Sequence, residues 1–290
     1  MKYAGIVLLK DKGHTVRGCC ELLGVSSSSF YDWAKCKLSD RKKRDLKLKD
    51  KIEAIFDKSK KRYGSPRVQK VLQHEGEKVG KDKVAKIMKN EGFSATRKKA
   101  FRPTTTVNDP ADSKSARIYK IEEHNVQREN EVWASDLTYI PTATGFSYLV
   151  VVMDLYNREI KGWDVSDSME AVQTKQALMM AIKGSAGPLK GMIFHSDQGV
   201  QNCSSLVRGK LKFLEVKQSM SRKGNCYDNA FVESFFHSLK TELELKDLSG
   251  AKEVRKEIFE YINWYNRERL HSSLGYLSPM DYVKRTCLVA

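Results

Sequence analysis

From Glu131 onward the apolar residues of this 290-residue chain change their period, and that change restricts the folds open to it more than any other feature. Stretches 132–140, 146–155 and 158–165 are rich in Val, Ile and aromatic residues, which suit a pleated, buried surface. The turn Thr142-Ala143-Thr144-Gly145 joins the first two, and a still shorter link joins the second to the third. Short links force antiparallel neighbours, because a parallel crossover needs a dozen residues or more. The pattern then alternates: a helix over 170–182, a short strand over 191–195, a strand over 211–218, and helices over 225–245 and 253–267. Three antiparallel strands followed by mixed helices and strands predict an α/β domain with a mixed sheet over 131–290.

The chain before Glu131 reads as helical. Val16, Cys19, Cys20 and Leu23 recur at helical spacing, Gly24 breaks the pattern, and Ser26 to Ser29 offer N-caps to a helix carrying Phe30, Tyr31 and Trp33. Residues 1–36 thus have the outline of a helix-turn-helix, with a plain helical hairpin as the alternative. Within 37–93, Leu46, Leu48, Ile52, Ile55 and Phe56 line one face of a lysine-rich helix. Pro66 opens the next helix, with Val68, Val71 and Leu72, and a helix over 81–91 ends at Gly92. That pair is a second helix-turn-helix candidate. Residues 94–130, with Arg97-Lys98-Lys99, Pro103 and Pro110, show little periodicity and read as a basic linker.

Charge separates the two halves. Residues 1–130 hold 32 Lys and Arg against 17 Asp and Glu, whereas 131–290 hold 20 against 19. A basic half of this kind selects a polyanion, most economically nucleic acid. No apolar run approaches the ~18 residues of a membrane span, and the stretch 4–9 is too short for a signal-peptide core. A cytoplasmic protein without membrane association is expected. The six cysteines (Cys19, Cys20, Cys36, Cys203, Cys226 and Cys287) form no C-x-x-C pair, so buried reduced thiols are expected rather than a zinc site. The P-loop pattern G-x-x-x-x-G-K-[ST] does not occur, so hydrolysis of ATP is not expected.

Three acidic residues fall where this architecture can gather them. Asp136 is in the first strand, Asp197 follows the strand Ile193-Phe194-His195, and Glu233 lies in a long helix, with 35 residues between it and Asp197. Phosphodiester transfer needs charge stabilised on both the attacking and the leaving oxygen, which two divalent ions about 4 Å apart provide. Mg²⁺ prefers carboxylate oxygens, and strands and helices hold such ligands more rigidly than loops do. Around Glu233, Val232, Phe235, Leu239 and Leu243 form an apolar stripe, while Glu233, Lys240 and Asn229 share the adjacent face. Lys240 is placed to touch a DNA phosphate, or is an ordinary surface lysine.

The chain resembles the DDE-class insertion-sequence transposases with a retroviral-integrase-like core, and more closely the second-reading-frame product of elements that encode their transposase in two overlapping frames. The resemblance rests on Trp133-Ala134-Ser135-Asp136-Leu137-Thr138-Tyr139-Ile140, Phe194-His195-Ser196-Asp197-Gln198-Gly199 and the block from Ser221 to Phe236 that contains Asn229 and Glu233. Tyr265-Asn266-Arg267, His271, Leu274-Gly275-Tyr276-Leu277-Ser278-Pro279 and the upstream Tyr63-Gly64-Ser65-Pro66-Arg67 extend it over nearly the whole chain. It implies a ribonuclease-H-like core, metal binding by Asp136, Asp197 and Glu233, and Lys240 as the basic residue after the glutamate. It implies Mg²⁺ as cofactor, with Mn²⁺ able to substitute. The partners implied are the terminal inverted repeats and target DNA, a homo-oligomer on that DNA, and the first-frame product. The implied displacement is in-line, with water or a DNA 3′-hydroxyl as nucleophile and no covalent protein–DNA bond. Gln198 departs from the family, where many relatives carry Arg.

Other functions fit less well. A regulator with a degenerate core predicts the loss of an acidic ligand, and all three are present. A tyrosine recombinase needs an Arg before its His-x-x-Arg, and His14–Arg17 has none before it. A hydrolysis-only nuclease of the same fold is distinguished only by the basic half, which suits end binding. Among single residues, His195 reads equally as a group behind the metal ligands or a strand-end histidine. His271 is expected to stabilise the C-terminal turn, Trp133 and Tyr139 to lie in the core, and Cys226 to be packed.

Overall fold

The computed structural model describes residues 2–35, 40–96, 126–185, 187–197, 199, 202, 204–220 and 230–287. Cys36, Gln198, Cys203, Cys226, Asn229 and most of the expected linker lie outside the described residues. The chain forms two compact units, Met1–Ser94 and Ala95–Ala290.

The first unit is helical. Helices α1 (Lys2–Asp11), α2 (Val16–Leu23) and α3 (Ser27–Lys35) bury Ile6, Cys19, Cys20 and Phe30 together. Thr15 caps α2 through the Gly18 amide, and Gly24 closes it in the left-handed conformation, φ 61°, where a side chain would be strained. The sequence reading does not anticipate α1, which adds a third helix to the two of the expected helix-turn-helix outline. Helix α4 (Asp40–Lys58) buries Leu48, Ile52, Ile55 and Phe56, while Leu46, expected on that face, is exposed. Helices α5 (Ser65–His74, with Pro66 in its first turn) and α6 (Lys81–Asn90) bury Val68, Leu72, Val84 and Met88. Gly92, at φ 73°, follows α6 and donates its amide to the Lys89 carbonyl.

The second unit is built on a five-stranded sheet of order β3-β2-β1-β4-β5. Strands β1 (Val132–Thr142), β2 (Gly145–Asp154) and β3 (Ile160–Ser166) are antiparallel. Strands β4 (Ile193–Ser196) and β5 (Lys217–Met220) run parallel to β1. β1 is central, and its alternate residues enter two cores. Val132, Ala134 and Ile140 pack with α9 (Ala230–Glu242) and α10 (Ala251–Arg267). Trp133 faces α7 (Ala171–Gly184) and α8 (Ser205–Phe213). Gly162 lets α7 lie against β3: a Cβ there would strike the Ala177 carbonyl and sit 2.7 Å from the Ala181 nitrogen.

Two expectations need correction. The strand expected over 211–218 starts only at Lys217, because Leu211 to Phe213 complete α8. Ser204 caps that helix through the Val207 amide, and Val207 and Leu211, four apart, are its buried face. The helix around Glu233 ends at Glu242 rather than Leu245, although Leu243 and Leu245 remain buried. Cys19 and Cys20 are buried, as expected of reduced thiols, but Cys287 is exposed on the last helix, α11 (Pro279–Cys287).

Candidate active site

Strand register brings the first two carboxylates together. β1 and β4 run parallel with Ser135 beside Ser196. Asp136 and Asp197 are the next residues on each, and neighbouring strands lie about 4.8 Å apart. Past Ser196 the chain leaves the sheet, and the Asp197 Oδ1 accepts from the Gly199 amide at 3.0 Å and from the Asn202 Nδ2 at 2.7 Å. The Asp136 Oδ1 accepts from the Leu137 amide at 2.8 Å.

Helix α9 lies over the same face of β1. Its stripe Val232, Phe235, Leu239 and Leu243 is buried as expected, and Phe236 joins it. That packing fixes the rotation of the helix, leaving Glu233 and Lys240 on the neighbouring face. Lys240 is no ordinary surface lysine. Its Nζ donates to the Thr138 Oγ1 at 2.7 Å and lies 4.6 Å from the centre of the Tyr139 ring. Burial lowers its pKa, and the nearby Asp136 charge opposes that.

The electrostatics tie these groups into one site. Asp136 is pushed up to about 8, first by burial and next by the Asp197 charge, with Glu233 adding to the shift and Lys240 opposing it. Burial raises the Glu233 carboxyl as well. Among the described residues, no three of His, Cys, Asp and Glu already converge as a closed set of ligands. Even so, the donors suit a hard divalent cation. They are carboxylate oxygens, with Asp136 pushed up to about 8 by burial and then by the Asp197 charge, and a cation would offset both causes.

Several supporting residues escaped the sequence reading. Asn202, buried, orients Asp197, and Thr138 receives Lys240. Neither carries a signal of its own, because each matters through a partner reached only in the fold. His195 is buried within β4, its Nδ1 3.1 Å from the Ser219 Oγ of β5. His271 does hold the C-terminal turn: its backbone pairs with Leu277 and Tyr276, and its Nε2 is 3.3 Å from the Arg269 Nη1. Trp133 is fully buried, whereas Tyr139 is half-buried and stands edge-on to Phe146.

A buried ion pair braces the far end of α9. The Arg269 Nη2 lies 2.6 Å from the Glu242 Oε1, with the two side chains only 3% and 7% exposed. The Tyr261 hydroxyl donates to the same carboxylate at 2.9 Å, and Arg269 also donates to the Ser238 Oγ at 3.1 Å. α9 is thereby tied to α10 and to the turn after it.

Comparison with known proteins places the chain in a family. Residues 126–226 and 214–279 match integrase core domain families, and residues 43–101 match an HTH-like domain. The chain is 38% identical to the 31 kDa protein of insertion element IS600 from Shigella sonnei, over 91% of this chain and 96% of that one. It is 35% identical to the transposase InsF for insertion sequence IS3A from Escherichia coli strain K12, over 92% and 93%. Among solved structures, the catalytic core domain of BIV integrase aligns with a TM-score of 0.41 at 16% identity, covering 55% of this chain and 97% of that one. Among the described residues, no helix is long and apolar enough to cross a membrane. With such identity over nearly the full length of its relatives, the chain belongs to the insertion-sequence transposases, enzymes of the polynucleotidyl-transferase type with an integrase core and a helix-turn-helix-like domain.

Proposed function

We propose that Asp136, Asp197 and Glu233 are the metal ligands of this transposase, taking Mg²⁺ or, in its place, Mn²⁺. The observation that carries this reading is the parallel register that sets Asp136 beside Asp197, with Asp136 raised to about 8 by burial and by its acidic neighbours. Two such ions, when bound, supply Lewis acidity at the attacking and leaving oxygens of an in-line phosphoryl displacement.

The chain's own residues do the rest. The Leu137 amide orients the Asp136 carboxylate, and the Asn202 amide orients Asp197, so neither has to be ordered when DNA arrives. Glu233 is presented from α9, whose apolar stripe forbids rotation. Lys240, steadied by Thr138, offers a cation to a phosphate next to the reacting one. The nucleophile is water in strand cleavage and a DNA 3′-hydroxyl in strand transfer.

The substrates are the element's terminal inverted repeats and a target DNA. Residues 1–36 and 37–93 bind the ends through the two helix-turn-helix segments, and the basic linker 94–130 follows the backbone into the core domain over 131–290. Two ends must meet, so the protein works as a homo-oligomer on DNA. It acts in the bacterial cytoplasm, on the nucleoid when bound, fused to or partnered with a first-reading-frame product. The test is cleavage and joining of a linear substrate carrying the cognate ends, for the wild type and Asp197→Asn, with Mg²⁺, Mn²⁺ or EDTA. Joining that needs the metal and is lost in the variant is expected, whereas joining that survives Asp197→Asn overturns the assignment. A wild type that joins ends only when the first-frame product is added would establish that partnership.

A further inference from the structure

Beside the acidic site stands an aromatic pair that the reaction as described leaves without a task. Phe146 is the second residue of β2 and lies opposite Pro141, five residues along β1 from Asp136. At ~3.4 Å per residue, its strand position is about 17 Å along β1 from that of Asp136, the span of a few nucleotides, with its side chain on the other face of the sheet. Its ring is 54% exposed. An exposed phenylalanine alone is ordinary, but this one is built into a small structure. Tyr139 meets it edge-on at 5.6 Å and 87°, and the Lys240 Nζ lies 4.6 Å from the Tyr139 centroid. Lysine, tyrosine and phenylalanine therefore form a continuous line leading away from Asp136.

The line is rigid. The Ala143 amide donates to the Leu248 carbonyl at 2.9 Å, just before the strand. The Ser147 hydroxyl, just after Phe146, donates to the Asp167 Oδ1 at 2.8 Å, and the same oxygen accepts the Ala251 amide at 2.9 Å where α10 begins. The backbone that carries Phe146 is thus tied down on both sides, and Tyr139 packs against its ring.

A cation followed by a fixed, exposed aromatic ring is the pairing that binds unpaired nucleic acid: the charge takes a phosphate and the ring takes a base, whatever its identity. We propose that Phe146, backed by Tyr139, is a stacking platform for one unpaired base of the substrate DNA, close to the phosphate held by Lys240. The proposal rests on the reading of Asp136, Asp197 and Glu233 as the reacting centre. Its physical rationale is access. Asp136 lies partly below the surface, and a backbone freed from pairing bends into such a site more readily than an intact duplex. Phe146 would offset part of the cost of unstacking.

The experiment uses the full-length protein and cognate ends carrying 2-aminopurine, one position at a time, over the nucleotides flanking the cleavage point. With the wild type, emission rises at one position as that base leaves the duplex stack. Phe146→Ala is expected to lose the rise and to join fully paired ends roughly tenfold more slowly or worse, while ends with mismatches at that position are joined nearly as fast as by wild type. Phe146→Trp should keep both properties. Asp197→Asn should abolish joining yet keep the emission rise, so failure of the metal-site reading and failure of the platform are told apart. An emission rise that persists in Phe146→Ala, or an equal loss of joining on paired and mismatched ends, overturns the proposal.

Discussion

The two units of this transposase use charge in opposite ways. In the helical unit, ion pairs such as Lys49–Glu91, Lys51–Glu77 and Lys83–Asp45 lie at the surface, their side chains roughly a third to a half exposed. Solvent and salt screen such pairs, and each contributes little to stability. The net positive charge of that half attracts a polyanion. In the sheet unit the charges that matter are inside. Arg269 and Glu242 are almost fully enclosed, and burial, together with acidic neighbours, pushes Asp136 up to about 8. Exposed charge brings DNA to the protein from a distance, whereas enclosed charge decides protonation and position at the reacting phosphate. A nearly neutral balance in the core domain therefore does not mean a weak electrostatic role.

The strongest way to break this contrast is to remove an enclosed charge at the site. Glu233→Gln should lower strand transfer by about a thousandfold, since losing metal ligation removes several kcal/mol of transition-state stabilisation. End binding by the basic unit, measured by gel shift, should be nearly unchanged. Equal losses in both assays would show that the two units do not divide the work.

Next in size is the enclosed pair. Arg269→Met leaves Glu242 buried without its partner and should cost about 3–5 kcal/mol in denaturant unfolding of the sheet unit. Adding Glu242→Leu should return much of that stability, because the stranded charge is gone. In the helical unit, Lys51→Ala should change stability little, because solvent screens its pair with Glu77. Similar costs for Arg269→Met and Lys51→Ala would erase the difference between the units.

A smaller effect lies in pH. Without metal, Asp136 keeps its proton in the fold up to about 8, while in the unfolded chain it loses it near 3.8. Between those values the folded state binds the extra proton, so raising the pH through that window removes stability. The Tm of the metal-free protein should fall from pH 5.5 to pH 8.5. Asp136→Asn should reduce the fall, and saturating Mg²⁺ should reverse it. Asp154, raised to about 6 chiefly by burial, contributes the same sign in the lower part of the window and remains in the variant. The difference between the two proteins therefore reports Asp136. A slope that Asp136→Asn leaves unchanged would assign it elsewhere.

The smallest expected change concerns one exposed lysine. Lys86 lies on the exposed face of α6. Lys86→Ala should make the log–log salt dependence of end binding shallower by about 0.9 if that side chain neutralises one phosphate. An unchanged slope would place the DNA-binding face elsewhere on the unit.

Legibility in the sequence followed the range of the interaction. The three antiparallel strands were readable from local apolar patterning and short links, and α2, α4, α5 and α6 from spacing, caps, Pro66 and the glycines. Helix α8 was legible in principle, through Ser204 as N-cap and the Val207–Leu211 pair, but its apolar end merged with β5 into one apparent strand. Helix α1 is hard to read because its short apolar run, over 4–9, resembles a truncated targeting segment as much as a helix. At the site, the stripe of α9 correctly set Glu233 and Lys240 on one face. The roles of Asn202, Thr138, Glu242 and Arg269 were not legible, because each pairs with a residue brought near by folding.

By itself, the sequence determined the basic half and the balanced half, the periods that make helices and strands, and the motifs that identify the transposase family. These are local or additive properties, set by neighbours within a turn of helix or a few residues of strand. Tertiary structure alone decided that Asp197 stands beside Asp136, that Lys240 turns back onto Thr138 and Tyr139, and that an aspartate keeps its proton near neutral pH. Those outcomes depend on through-space distance and on exclusion of water, and neither exists until β4 pairs with β1 and α9 closes over them.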